Sequence, residues 1–107
     1  MTITVEHAKG GVCRLAVQGD MTIYTALALK DELLQPLELA HKMELDLAAV
    51  SDIDSAGLQL MVMLKTEAKE QGKTLNITGH SPAVLEILEL CDLEGFFGDT
   101  VLIHPEQ

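Results

Sequence analysis

The spacing of apolar residues changes period repeatedly along this chain, and that alternation restricts the fold more than any single motif does. In TITVEH, Ile3 and Val5 alternate with Thr2, Thr4 and Glu6, and in VCRLAVQG residues Cys13, Leu15 and Val17 share one face. A period of two marks half-buried strands. Lys9, Gly10 and Gly11 between them read as the turn of a β-hairpin, and Gly19 ends the second strand. From Tyr24 the period lengthens, with Ala26, Leu29, Leu33 and Leu37 recurring at the spacing of an amphipathic helix. Thr22 or Thr25 is the expected cap, and Pro36 is expected to end or bend this helix near Gln35.

KMELDLAAV returns to alternation through Met43, Leu45 and Leu47. A second helix is predicted over about 56–71, with Gly72 as its stop, and KTLNITG reads as a further strand through Leu75 and Ile77. Ser81 and Pro82 open a third helix that carries Val84, Leu85, Leu88 and Cys91 inward, and residues 101–103 can supply an edge strand. This order predicts an α/β fold: a small mixed sheet of about four to five strands, the later ones parallel and joined by right-handed crossovers. A length of 107 residues suits one domain spanning 1–107.

Composition narrows the function. Apolar residues at 48% and charged residues at 22% describe a chain that folds. Seven Lys and Arg against seventeen Asp and Glu give a formal net charge of -10, which repels polyanions and anionic membrane surfaces and suits a basic protein surface instead. One Tyr, two Phe and no Trp leave no aromatic platform for stacking bases. Nucleic acid is therefore not an expected partner. Cys13 and Cys91 lack metal or redox spacing, and MTITVEHAKG lacks the basic and apolar segments of a secretory signal, so the reduced cytoplasm is the expected compartment and both cysteines are expected in the core. The longest apolar run, 58–64, falls far short of the ~20 residues that span a bilayer, so no direct membrane insertion is expected.

Catalytic and metal signatures are missing where their chemistry is decided. DIDSAG imitates the first half of a calcium-binding EF-hand loop, but Ala56 and Met63 occupy positions that must supply oxygen ligands. His7, His41, His80 and His104 lie in separate segments, and no nucleophile elbow, phosphate loop or dinucleotide fingerprint occurs. No enzyme activity, metal or cofactor is expected.

The segment SDIDSAGLQLMVML sets an acidic turn directly before the most apolar run. Ser55 has an ordinary reading as a helix N-cap, worth ~1 kcal/mol. A cap does not account for Asp52 and Asp54 together, nor for Gly57 in a helical first turn, where glycine is a poor helix former. Gly57 would suit close approach of another molecule's backbone or a bulky group. On the predicted second helix Gln59, Met63, Thr66, Glu67 and Glu70 oppose Leu60, Met61, Leu64 and Ala68, so Met63 with Leu58 and Val62 either fills the core or forms an adaptable apolar patch.

DSAGLQLM after a strand, GDMTIYTALALKDELL before it and GHSPAVLEILELCDLEGFF after it resemble the STAS domain of anti-sigma factor antagonists. The resemblance spans nearly the whole chain and implies a small sheet flanked by helices on one side. It implies partner switching: the unphosphorylated protein binds an anti-sigma factor serine kinase, phosphorylation ends the binding, and a phosphatase restores it. Carried onto this sequence, it makes Ser55 the phosphorylated residue, Asp54 the motif aspartate and Gly57 the motif glycine. The second motif hydroxyl is Ala56, and threonine (Thr22) stands where the family's first turn usually carries an acid. The expected partner surface comprises turn 19–24 with Asp20, Thr22 and Tyr24, turn 51–58 with Asp52, Asp54, Gly57 and Leu58, and the helix start with Gln59, Val62 and Met63. Similar turns also resemble small binding subunits of lipid-transport ATPase complexes and modules encoded with chemotaxis proteins.

Overall fold

Strands with one apolar face need a cover, and in this computed structural model three helices provide it. The structure describes residues 2–7 and 9–90. β1 (Thr2–His7) and β2 (Val12–Met21) form the hairpin across a tight turn at Lys9–Gly11. α1 (Ala26–Leu39), β3 (Lys42–Ile53), α2 (Ser55–Glu70), β4 (Thr74–His80) and α3 (Pro82–Leu90) follow in order. The sheet runs β1-β2-β3-β4, with β1 antiparallel to β2 and the pairs β2–β3 and β3–β4 parallel. Parallel neighbours cannot be joined by a hairpin, so α1 and α2 serve as the crossovers.

The core is the alternating set read from the sequence. Cys13, Leu15 and Val17 of β2, Met43, Leu45 and Leu47 of β3, and Leu75 and Ile77 of β4 are buried on one face. Against them pack Leu29, Leu33 and Leu37 from α1, Leu60, Met61, Leu64 and Ala68 from α2, and Val84 and Leu88 from α3. Each large aliphatic side chain so buried contributes about 1.5–3 kcal/mol relative to exposure. The opposite sheet face carries exposed Arg14 and Asp46, with half-buried Glu44 between them. Arg14 Nε donates to Glu44 Oε1 at 2.7 Å, and that hydrogen bond holds the Glu44 carboxyl below its ordinary value.

Three expectations are corrected. β2 does not end at Gly19 but continues through it to Met21. α1 does not stop near Gln35; it runs through Pro36 to Leu39. The proline removes one backbone donor, but Leu37 immediately after it is fully buried, and Lys73 Nζ donates to Leu37 O at 2.6 Å and Glu38 O at 2.7 Å, which holds the last turn. Leu85 is half-buried rather than a full core residue. Ser81 does cap α3, its Oγ accepting from Val84 N at 3.1 Å. Cys13 is buried, which raises its thiol pKa. Cys91 and the strand expected at 101–103 lie outside the described residues.

Candidate functional site

Because β2 and β3 are parallel, both reach the same edge of the molecule, and their register sets Asp20 beside Asp52 and Met21 beside Ile53. The register shifts at Gly19, whose φ of 103° lies in the left-handed region open to glycine. This bulge turns the end of β2 toward the start of α2. Ser51 Oγ then donates to Asp20 Oδ1 at 3.0 Å, joining the two strand ends by their side chains. The turn that follows β2 is organised by Thr25, whose Oγ1 accepts from Thr22 N at 3.0 Å and donates to Asp20 O at 3.0 Å. Thr25 occupies the N-cap position of α1, but its hydroxyl bonds backward into the turn and not onto the helix.

Asp54 fastens this turn to α2. Its Oδ1 accepts from Ala56 N at 2.9 Å and Gly57 N at 3.1 Å, while Oδ2 accepts from Ile23 N at 3.0 Å. Its own backbone N–H donates to Met21 O at 3.2 Å. The Ile23 N–H, more than those of Gly57 and Ala56, holds the Asp54 carboxyl below its ordinary value, so it is ionised at neutral pH. The N-cap of α2 is therefore Asp54, which corrects the capping reading of Ser55. Both residues are good caps by type, and the tie to Ile23 decides between them. Ser55 becomes the first residue of α2, exposed, with its hydroxyl in no hydrogen bond among the described residues.

Gly57 has a reason internal to the chain. A Cβ at this position would lie 2.1 Å from the Met21 carbonyl oxygen and 2.9 Å from an Ile53 side-chain carbon. The close neighbour is thus the protein's own β2, and the expectation of another molecule's backbone there is corrected. Gly57 and Leu58 are both buried, so neither presents a side-chain surface to a partner.

The remaining expected surface residues are brought together at this edge. Asp20, Asp52 and Gln59 are exposed, Thr22 and Asp54 are half-buried, and Tyr24 is 94% exposed. Val62 and Met63 are half-buried and packed against the core. Met63 also lines a groove between α1 and α2 with Ala26, Leu27, Lys30, Ala56, Gln59 and Leu60. Sequence reasoning included Ile23 and Ser51 only as members of turns 19–24 and 51–58, and it passed over Leu27. The signal for Leu27 was there, because it lies off the buried stripe of α1 and is an apolar residue on the wrong face. Among the described residues no group of three or more His, Cys, Asp or Glu could hold a metal.

The sequence matches the family model described as "Mlab, STAS domain" over residues 4–103. The chain belongs to this STAS domain family. Solved STAS-like structures agree in fold. An anti-sigma factor antagonist from Mycobacterium paratuberculosis is 23% identical, with 96% of this chain and 87% of that one covered at a TM-score of 0.80. The Bacillus anti-sigma factor antagonist SpoIIAA in its unphosphorylated form is 13% identical, with coverage of 94% and 89% and a TM-score of 0.75. A sulfate transporter family protein from Wolinella succinogenes is 20% identical, with coverage of 87% and 76% and a TM-score of 0.72. At these identities the likeness establishes the STAS fold alone.

Proposed function

We propose that this STAS domain is a non-catalytic cytoplasmic signalling protein of the anti-sigma factor antagonist kind, controlled by phosphorylation of Ser55. Its partners would be a serine kinase that also binds it and a phosphatase that resets it. One observation carries the reading: Asp54 performs the capping, so the Ser55 hydroxyl is exposed at the helix start with no structural task. A phosphate there adds about -1.5 to -2 charge. The amides that would receive an anion, Ala56 N and Gly57 N, are already held by Asp54. The new charge would stand beside Asp54 and close to Asp52, and a partner fitted to the unmodified edge would be repelled.

A second reading keeps Ser55 unmodified and makes the chain a binding subunit of a transport ATPase or chemosensory complex. The description of the matched family and Ala56 in place of a second hydroxyl favour it. Affinity capture with wild type, Ser55→Ala and Ser55→Asp, coupled to mass spectrometry of protein recovered from cells, separates the two. Phosphorylated Ser55 and loss of a partner with Ser55→Asp are expected from the switch. An unmodified Ser55 and equal capture by all three would reject it for the second reading.

A further inference from the structure

Of the six large apolar side chains most exposed among the described residues, three fall together in sequence. Ile23 at 67%, Tyr24 at 94% and Leu27 at 79% fall within five residues, in the turn before α1 and in its first turn, and Leu27 lines the α1–α2 groove. Single exposed apolar residues are ordinary, but a contiguous cluster marks a binding surface. The groove has a volume of about 350 Å³ and a floor of Ala26, Ala56, Leu60 and Met63. It lies open along one side, so it could not enclose most of a small ligand's surface as such sites do.

Charge selects among larger occupants. Asp20, Asp31 and Asp52 stand exposed around this end, and the chain carries a net charge of -10. Much of its positive charge is engaged elsewhere: Lys42 with Glu44, Lys65 with Leu75 O, and Lys73 with the end of α1. Lys30 is the cation that lines the groove. A second copy of this chain would bring the same negative field and be repelled, as would nucleic acid. An amphipathic helix laid into a groove meets both demands, with apolar anchors at helical spacing and basic residues facing the acidic rim.

We propose that the α1–α2 groove receives an amphipathic helix of the partner protein, anchored on Ile23, Leu27 and Met63 and flanked by basic residues that face Asp20 and Asp52. This rests on the reading that a protein partner binds at the Ser55 edge, and it adds where that partner is gripped and by what kind of segment. Met63 supports it, since a thioether side chain adapts to varied apolar surfaces.

The test places the photo-crosslinking amino acid p-benzoylphenylalanine at position 27 in one variant of the full chain and at position 52 in another. Both are irradiated in cells and the cross-linked peptides are sequenced. The proposal expects position 27 to capture a partner segment with apolar residues at i, i+3 and i+4 and with Lys or Arg beside them. A synthetic peptide of that segment should then bind wild type at least ~10-fold more tightly than folded Leu27→Glu, with Leu90→Glu, an exposed apolar site on α3, unchanged. Cross-links from position 52 alone would overturn the groove and leave the partner reading intact. Cross-links from neither would overturn both. Capture of a second copy, or of an acidic or non-helical segment, at position 27 would also overturn the groove.

Discussion

At the residue scale, Asp54 ties the turn before α1 to the start of α2, while its neighbour Ser55 makes no side-chain hydrogen bond among the described residues. Ser55→Ala should leave the melting temperature unchanged, whereas Asp54→Ala should lower it, because the second change frees the amides of Ile23, Ala56 and Gly57 together. Thermal unfolding followed by circular dichroism checks the contrast, and a larger loss from Ser55→Ala than from Asp54→Ala would return the cap to Ser55. The Asp54 carboxyl lies below its ordinary pKa of 3.8 in the folded protein, so its contribution to stability is present in full above 3.8 and is lost as pH falls through the lower folded value. Urea midpoints for wild type and Asp54→Asn should therefore differ by a constant amount above that pH and converge below it. Glu44 titrates in the same direction through Arg14, so the comparison belongs in a Glu44→Gln background. Gly57→Ala should cost about 1–3 kcal/mol, as overpacking does, since the new methyl meets backbone at Met21 that cannot swing aside.

At the scale of elements, the order of strands and helices was legible because each one buries a regular stripe. Leu29, Leu33 and Leu37 announced α1, and Met43, Leu45 and Leu47 announced β3. What escaped were decisions made by partners distant in sequence. Pro36 reads as a stop or a bend from local chemistry, yet Lys73, far along the chain, holds the carbonyls of Leu37 and Glu38 and the helix does not stop. Lys73→Met should cost about 1 kcal/mol, the usual worth of such hydrogen bonds at a partly exposed site. Hydrogen exchange should quicken in the last turn of α1 and stay unchanged in α2. The cap was misplaced for a similar reason, because only the parallel register of β2 and β3 brings Ile23 N to Asp54. The aspartates, Ser55 and Met63 were singled out as a candidate site, but the exposed trio was half-seen, with Tyr24 named, Ile23 included only within turn 19–24 and Leu27 missed.

For the whole molecule, the formal charge of -10 works against compactness as well as selecting partners. Raising salt from about 0.01 M to 0.15 M shortens the screening length from about 30 Å to 8 Å. The melting temperature of the isolated protein should rise over that interval, while affinity for a basic partner segment should fall. A partner that bound more tightly as salt increased would contradict the acidic rim. Thermal scans and binding isotherms at the two salt levels measure these opposed trends.

The transfer of the cap from Ser55 to Asp54 has an evolutionary consequence. Under the proposed switch, mutation at position 54 is exposed to selection through folding, whereas mutation at position 55 would be seen through signalling alone. Lineages that abandon the switch are then free to replace the hydroxyl with alanine or a larger side chain while keeping the aspartate. Regulation could thus be gained or discarded by a single codon, without any compensating change elsewhere in the domain.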